Sequence, residues 1–109
     1  MPQQLPLLTA GTELECDVEE LRRLLLSAGR WLSRREICRL TAWDSRRVRA
    51  AAEAAGTDVV RGPRGFAAWE VAARDLSEIE HCARIFISQG QRMIEMGLAY
   101  QRRLHHQVG

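Results

Sequence analysis

The residues best suited to chemistry are arginines, and their spacing sorts them by task. Wound as a helix, the stretch from Ser45 to Ala55 puts Val48, Ala51, Ala52 and Ala55 on one face. Ser45, Arg46, Arg49, Ala50 and Glu53 fall on the other, with Arg47 at its margin. A guanidinium near the start of such a helix can form paired hydrogen bonds with guanine O6 and N7, and the Ala50 methyl can touch a thymine methyl. Ser33 opens a second helix whose free amides and positive dipole end suit a phosphate, with Arg34, Arg35 and Arg39 beside it. Arg61 flanks and Arg64 occupies the tip of the turn Gly62-Pro63-Arg64-Gly65, where glycines allow close approach to a phosphate backbone or a minor groove. The plain alternative is an amphipathic surface helix and a turn, both with solvated arginines.

Charge favours the first reading. Residues 30–64 carry nine arginines against four acids (Glu36, Asp44, Glu53, Asp58), a local net of +5. The rest of the chain, seven arginines against ten acids, is −3, and the whole is +2. This asymmetry implies an anionic partner for the middle segment. The 109 residues contain no lysine, so every side-chain cation other than histidine is a guanidinium, which matches phosphate and guanine better than ammonium does.

Other chemistries lack their residues. Cys16, Cys38 and Cys82 are odd in number and widely spaced, so neither a disulfide framework nor a CxxC site can be drawn through them. A reducing, cytoplasmic setting is the expectation. His81 beside Cys82 and the pair His105-His106 have no second ligand pair at metal spacing. Trp31, Trp43 and Trp69 are too far apart to read as a base-stacking platform; core packing is expected for each, with Trp43, in a turn, the exception to watch. There is no Ser-His-Asp set, paired-acid signature or glycine-rich nucleotide loop. The sequence therefore predicts no enzyme, cofactor or metal, and it identifies no small-molecule effector. No apolar run reaches the roughly 18 residues of a membrane helix, and the start Met1-Pro2-Gln3-Gln4-Leu5-Pro6 predicts no secretory signal.

The elements that must position the arginines follow from caps and stops. Residues 1–16 mix Pro, Gln, Gly and Thr without periodicity and read as a flexible arm. Asp17 with Glu20 forms a capping box for a helix carrying Val18, Leu21, Leu24, Leu25 and Ala28, ended by Gly29. Arg30-Trp31-Leu32 is extended. Ser33 with Glu36 caps a helix over 34–40 that buries Ile37, Cys38 and Leu40, and Thr41-Ala42-Trp43 makes the turn. Asp44 or Ser45 caps the third helix, which Gly56 stops. Residues 57–61 and 66–69 read as the two strands of a hairpin, and 71–74 as a turn. The fold class expected is mainly α with a small β-hairpin: a winged helix-turn-helix over 17–74, followed by a long C-terminal helix over 75–109. In that order of elements the third helix enters the DNA major groove.

The run Gly29-Arg30-Trp31-Leu32-Ser33-Arg34-Arg35-Glu36-Ile37, then Asp44-Ser45-Arg46-Arg47-Val48-Arg49, then Gly62-Pro63-Arg64-Gly65-Phe66 resembles small winged-helix proteins of bacteriophages and prophages. The continuation from Asp75 to Tyr100, with Ser88-Gln89-Gly90, is similar to the long helix that follows their wing. The resemblance spans residues 21–106 and implies a winged-helix fold and DNA binding in phage regulation or replication. The expected function is sequence-specific binding of double-stranded DNA, as a transcriptional regulator. The alternatives are a winged-helix protein-interaction or replication accessory module, and a coiled-coil adaptor with an incidental basic head.

The last helix is the expected partner surface. Asp75 and Glu78 form its capping box, and Leu76, Ile79, Ala83, Phe86, Gly90, Met93, Gly97, Tyr100 and Leu104 keep a three-four spacing, widened by Ile87 and Ile94. A helix from Leu76 to Gln107 would run about 48 Å, far beyond so small a domain. The expectation is a homodimer, with Leu76, Ile79 and Ala83 on the chain's own domain. Phe86, Gly90, Met93, Gly97, Tyr100 and Leu104 are left for the partner. Gly90 and Gly97 leave a second arrangement open, a helix broken there and folded back.

Overall fold

The computed structural model describes the backbone over residues 5–108 and the side chains over 13–106. Helix α1 (Leu5–Ala28) is followed by α2 (Arg34–Thr41) and α3 (Ser45–Ala55). A single 3-10 turn (Gly56–Asp58) leads into strands β1 (Val59–Gly62) and β2 (Gly65–Ala68). A short α4 (Trp69–Ala72) and a long α5 (Leu76–Val108) complete the chain.

Helix α1 begins twelve residues before the expected cap at Asp17, so residues 5–16 are helical and not an arm; Met1 to Gln4 lie outside the described residues. Pro6 falls in the first turn, where a missing N–H breaks no helical hydrogen bond. Asp17 therefore sits in the middle of the helix, and its carboxylate serves a different purpose, described below. Leu21 and Leu25, one turn apart, are fully buried. Gly29, at φ +65°, turns the chain, its N–H donating to the Leu25 carbonyl at 3.1 Å.

The Ser33 box forms as expected. The Glu36 N–H donates to Ser33 Oγ at 3.1 Å, and the Ser33 N–H donates to Glu36 Oε1 at 3.0 Å. Helix α2 fully buries only Ile37; Cys38 is half-buried and Leu40 is 62 % exposed. Leu40 lies about 60° round the helix from Ile37, enough to leave a contact face this narrow. In the following turn Thr41 Oγ1 donates to the Ile37 carbonyl at 2.7 Å and accepts from the Trp43 N–H at 3.1 Å. Ala42 takes the left-handed conformation at φ 63°. This geometry drives Trp43 into the core, so the turn does not make it an exception to the expected packing; the tryptophan that departs from it is Trp69. Asp44, and not Ser45, caps α3 by accepting from the Arg47 N–H at 2.8 Å. Val48, Ala51 and Ala52 are fully buried, and the two alanines let α3 lie close along α1.

The strands pair antiparallel, Val59 with Ala68 through Gly62 with Gly65. Thr57 and Asp58 belong to the 3-10 turn instead of the strand. Trp69 opens α4, where it is 42 % exposed, so the returning strand ends at Ala68. The expected turn over 71–74 is partly α4, whose Val71 and Ala72 are buried. Leu32 adds a third extended segment: it exchanges two hydrogen bonds with Phe66, both 2.8 Å. Gly65, at φ +109°, has no room for a side chain, because a Cβ there would strike the Leu32 carbonyl. Gly62 is similarly constrained, since its Cβ would strike Cys82 Sγ on α5.

Asp75 caps α5, accepting from the Glu78 N–H at 3.3 Å and from the Ser77 hydroxyl at 2.6 Å. The helix runs unbroken through Gly90 and Gly97, so the folded-back arrangement is not formed. Its attachment differs from the expected Leu76, Ile79 and Ala83. Ile79 packs on the core and Cys82 is buried, whereas Leu76 is 71 % exposed and Ala83 also faces outward. Beyond that attachment Phe86, Ile87, Met93, Ile94, Met96, Leu98, Tyr100 and Leu104 are all exposed. No described helix is long and apolar enough to cross a membrane.

Candidate nucleic-acid interface

Helix α3 presents Ser45, Arg46, Arg47, Arg49, Ala50 and Glu53 outward, because the opposite face is consumed by Val48, Ala51 and Ala52. Its arginines are not equivalent. Arg46 and Arg49 have no hydrogen-bond or ion-pair partner among the described residues. Arg47 is committed: its Nε and one terminal nitrogen each donate to an Asp17 carboxylate oxygen at 2.8 Å, and its guanidinium lies 4.5 Å from the Trp43 ring centre. The hydrogen bonds from Arg47 hold the Asp17 carboxyl below the usual carboxylate range, and the same bonds raise Arg47 further. Arg47 thus ties α3 to α1, and the bidentate fork fixes its direction.

Glu53 and Arg61 come together across α3 and β1, at 3.7 Å, and Arg61 also stacks 5.1 Å from the centre of the Phe86 ring. The pair neutralises one expected cation and joins the third helix, the hairpin and α5. At the hairpin tip Arg64 is exposed and stands 5.6 Å from the Trp31 ring centre. Its charge helps keep the Asp75 carboxyl low, after the Ser77 hydroxyl and the Glu78 amide, which donate hydrogen bonds to it.

The Leu32–Phe66 bridge brings the hairpin turn against the start of α2, since a Cβ on Gly65 would lie 3.1 Å from Ser33 Cα. Ser33, Arg34 and Arg35 therefore neighbour the turn that carries Arg64. Arg34 and Arg35 are exposed, whereas the Ser33 hydroxyl is already occupied by its own cap. The Ser33 amide and Arg30, which bonds Glu36 at 3.1 Å, together pull the Glu36 carboxyl low.

Two basic groups result, one on α3 and one at the α2 start with the hairpin tip. The residues that sequence reasoning missed are Asp17, Trp43 and Glu36 in their roles as holders of Arg47 and Arg30. The Ser33-Glu36 spacing pointed to Glu36, but nothing local signals a pair 30 residues apart. No group of three His, Cys, Asp or Glu side chains suited to a metal occurs among the described residues. Comparison with protein-family models, curated proteins and solved structures returns no match for the chain.

Proposed function

We propose that the chain is a winged helix-turn-helix protein that binds double-stranded DNA sequence-specifically, as a transcriptional regulator of phage or prophage type. The observation that carries this reading is the outward pair Arg46 and Arg49 on a helix whose other face is buried alanine and valine, unpartnered among the described residues while Arg47 and Arg61 are held internally. The bridge of Leu32 to Phe66 beside the hairpin supports this reading, in which Leu32 stands for the first strand of a winged helix. In this reading Arg46, Arg49, Ala50 and Ser45 meet base edges. Arg34, Arg35 and Arg64 meet phosphates, which supply affinity and register but no sequence information.

Selection of random duplexes by the purified chain, with affinity followed against salt, tests the proposal. A shared sequence among selected duplexes and a steep loss of affinity with salt support it. Absent or salt-independent duplex binding overturns it and leaves the protein-interaction or replication accessory module.

A further inference from the structure

We infer that α5 pairs antiparallel with α5 of a second copy, so that the two DNA-reading units stand at opposite ends of a common rod. Over residues 86–104, Phe86, Met93, Ile94, Met96, Tyr100 and Leu104 are each 45–75 % exposed. At about 100 Å² apiece, half of what a buried aromatic covers, they offer about 1,200 Å² over two copies, the lower edge of a specific interface.

The occupant follows from size and charge. The two glycines in the seam alternate with bulky residues, in the order Phe86, Gly90, Met93, Gly97, Tyr100, Leu104. Parallel pairing would set each residue beside its own copy, giving two Gly–Gly layers with voids between crowded Phe, Met and Tyr layers. Antiparallel pairing centred near residue 95 sets Phe86 against the partner's Leu104, Gly90 against the partner's Tyr100, and Met93 against the partner's Gly97. Every missing side chain then meets a large one, reciprocally, as a two-fold axis requires.

The seam positions from Phe86 to Leu104 carry no charge, so a second cationic chain meets no like charge there. Acids (Asp75, Glu78, Glu80) open the helix and Arg102 and Arg103 stand near its end. Antiparallel pairing separates the two basic ends, which parallel pairing would bring level. In this register the starts of the two α5 helices lie about 57 Å apart along the axis. That exceeds the roughly 34 Å between half-sites one DNA turn apart, so the dimer suits two well-separated sites or two duplexes. This last consequence rests on the DNA reading above; the pairing does not.

The test uses the full chain without DNA, so that it is independent of the DNA reading. Sedimentation at tens of micromolar should show a dimer, and Gly97→Phe should weaken it roughly ten-fold or more by overfilling the Met93 layer. A nitroxide on His81→Cys, with Cys16→Ser and Cys38→Ala, reports orientation because His81 is exposed and lies outside the seam. A label separation above about 40 Å is expected from the helix rise. A monomer, an unaffected Gly97→Phe dimer, or labels within about 25 Å would each overturn the inference.

Discussion

Arg47 of α3 grips Asp17 of α1 through two hydrogen bonds of 2.8 Å, across 30 residues of sequence. Asp17 is 15 % exposed and Arg47 about half exposed, so solvent screens the pair on one side only. Its role is to hold the third helix in place, and Asp17→Ala should destabilise the fold by about 1 kcal/mol once that screening is allowed for. The pH dependence has a definite sign. A carboxyl lowered on folding adds stability that is present above its ordinary value of 3.8 and is lost as pH falls through the lower folded value. Urea melts of Asp17→Asn should therefore show a smaller loss of stability below pH 3.8 than the parent chain shows.

On the DNA-binding reading proposed above, replacing Arg46 or Arg49 by Ala should cost about 1–3 kcal/mol on the preferred duplex and relax base preference at one position. Titrations against preferred and scrambled duplexes measure this. Unchanged affinity and preference would remove α3 from the groove.

Arg64→Ala should weaken binding to all duplexes about equally, because a hairpin tip meets phosphates or a minor groove with a degenerate base pattern. The slope of log affinity against log salt should become shallower by about one unit. An unchanged slope would place Arg64 outside the interface.

At Gly62 the prediction concerns stability. Gly62→Ala places a methyl against Cys82 Sγ and should cost about 1–3 kcal/mol by overpacking. Cys82→Ala removes the obstruction, so the double variant should recover part of that loss in a thermal or urea melt. Burial also raises the Cys82 thiol, and Glu78 adds to this. A maleimide at neutral pH should modify exposed Cys16 first and reach Cys82 only on unfolding.

Local signals carried much of the fold. Ser33 and Glu36, Asp44, Gly29 and Gly56 mark helix ends where the structure has them, because caps and left-handed stops depend on neighbours a few residues away. The division of α3 into Val48, Ala51 and Ala52 against Arg46 and Arg49 was legible for the same reason. What escaped depends on distant contacts. Asp17 has the type and spacing of a cap, but helix continues before it and Arg47 claims its carboxylate. The seam Leu76, Ile79, Ala83 has sound periodicity, yet the helix docks through Ile79 and Cys82 because Gly62 leaves the space that Cys82 fills. No one-dimensional pattern records that fit.

The attachment of α5 only near its start, through Ile79, Cys82 and the Arg61–Phe86 stack, makes the helix a lever. From Cys82 to its end at Val108 the arm is about 39 Å, so a tilt of 5° at the root swings the tip by about 3 Å. Arg61, stacked on Phe86 and paired with Glu53, sits beside that root. Any shift at that root is carried to the far end of the helix enlarged in proportion to the arm, and a tip displacement of about 3 Å is several times the stretch that breaks a hydrogen bond.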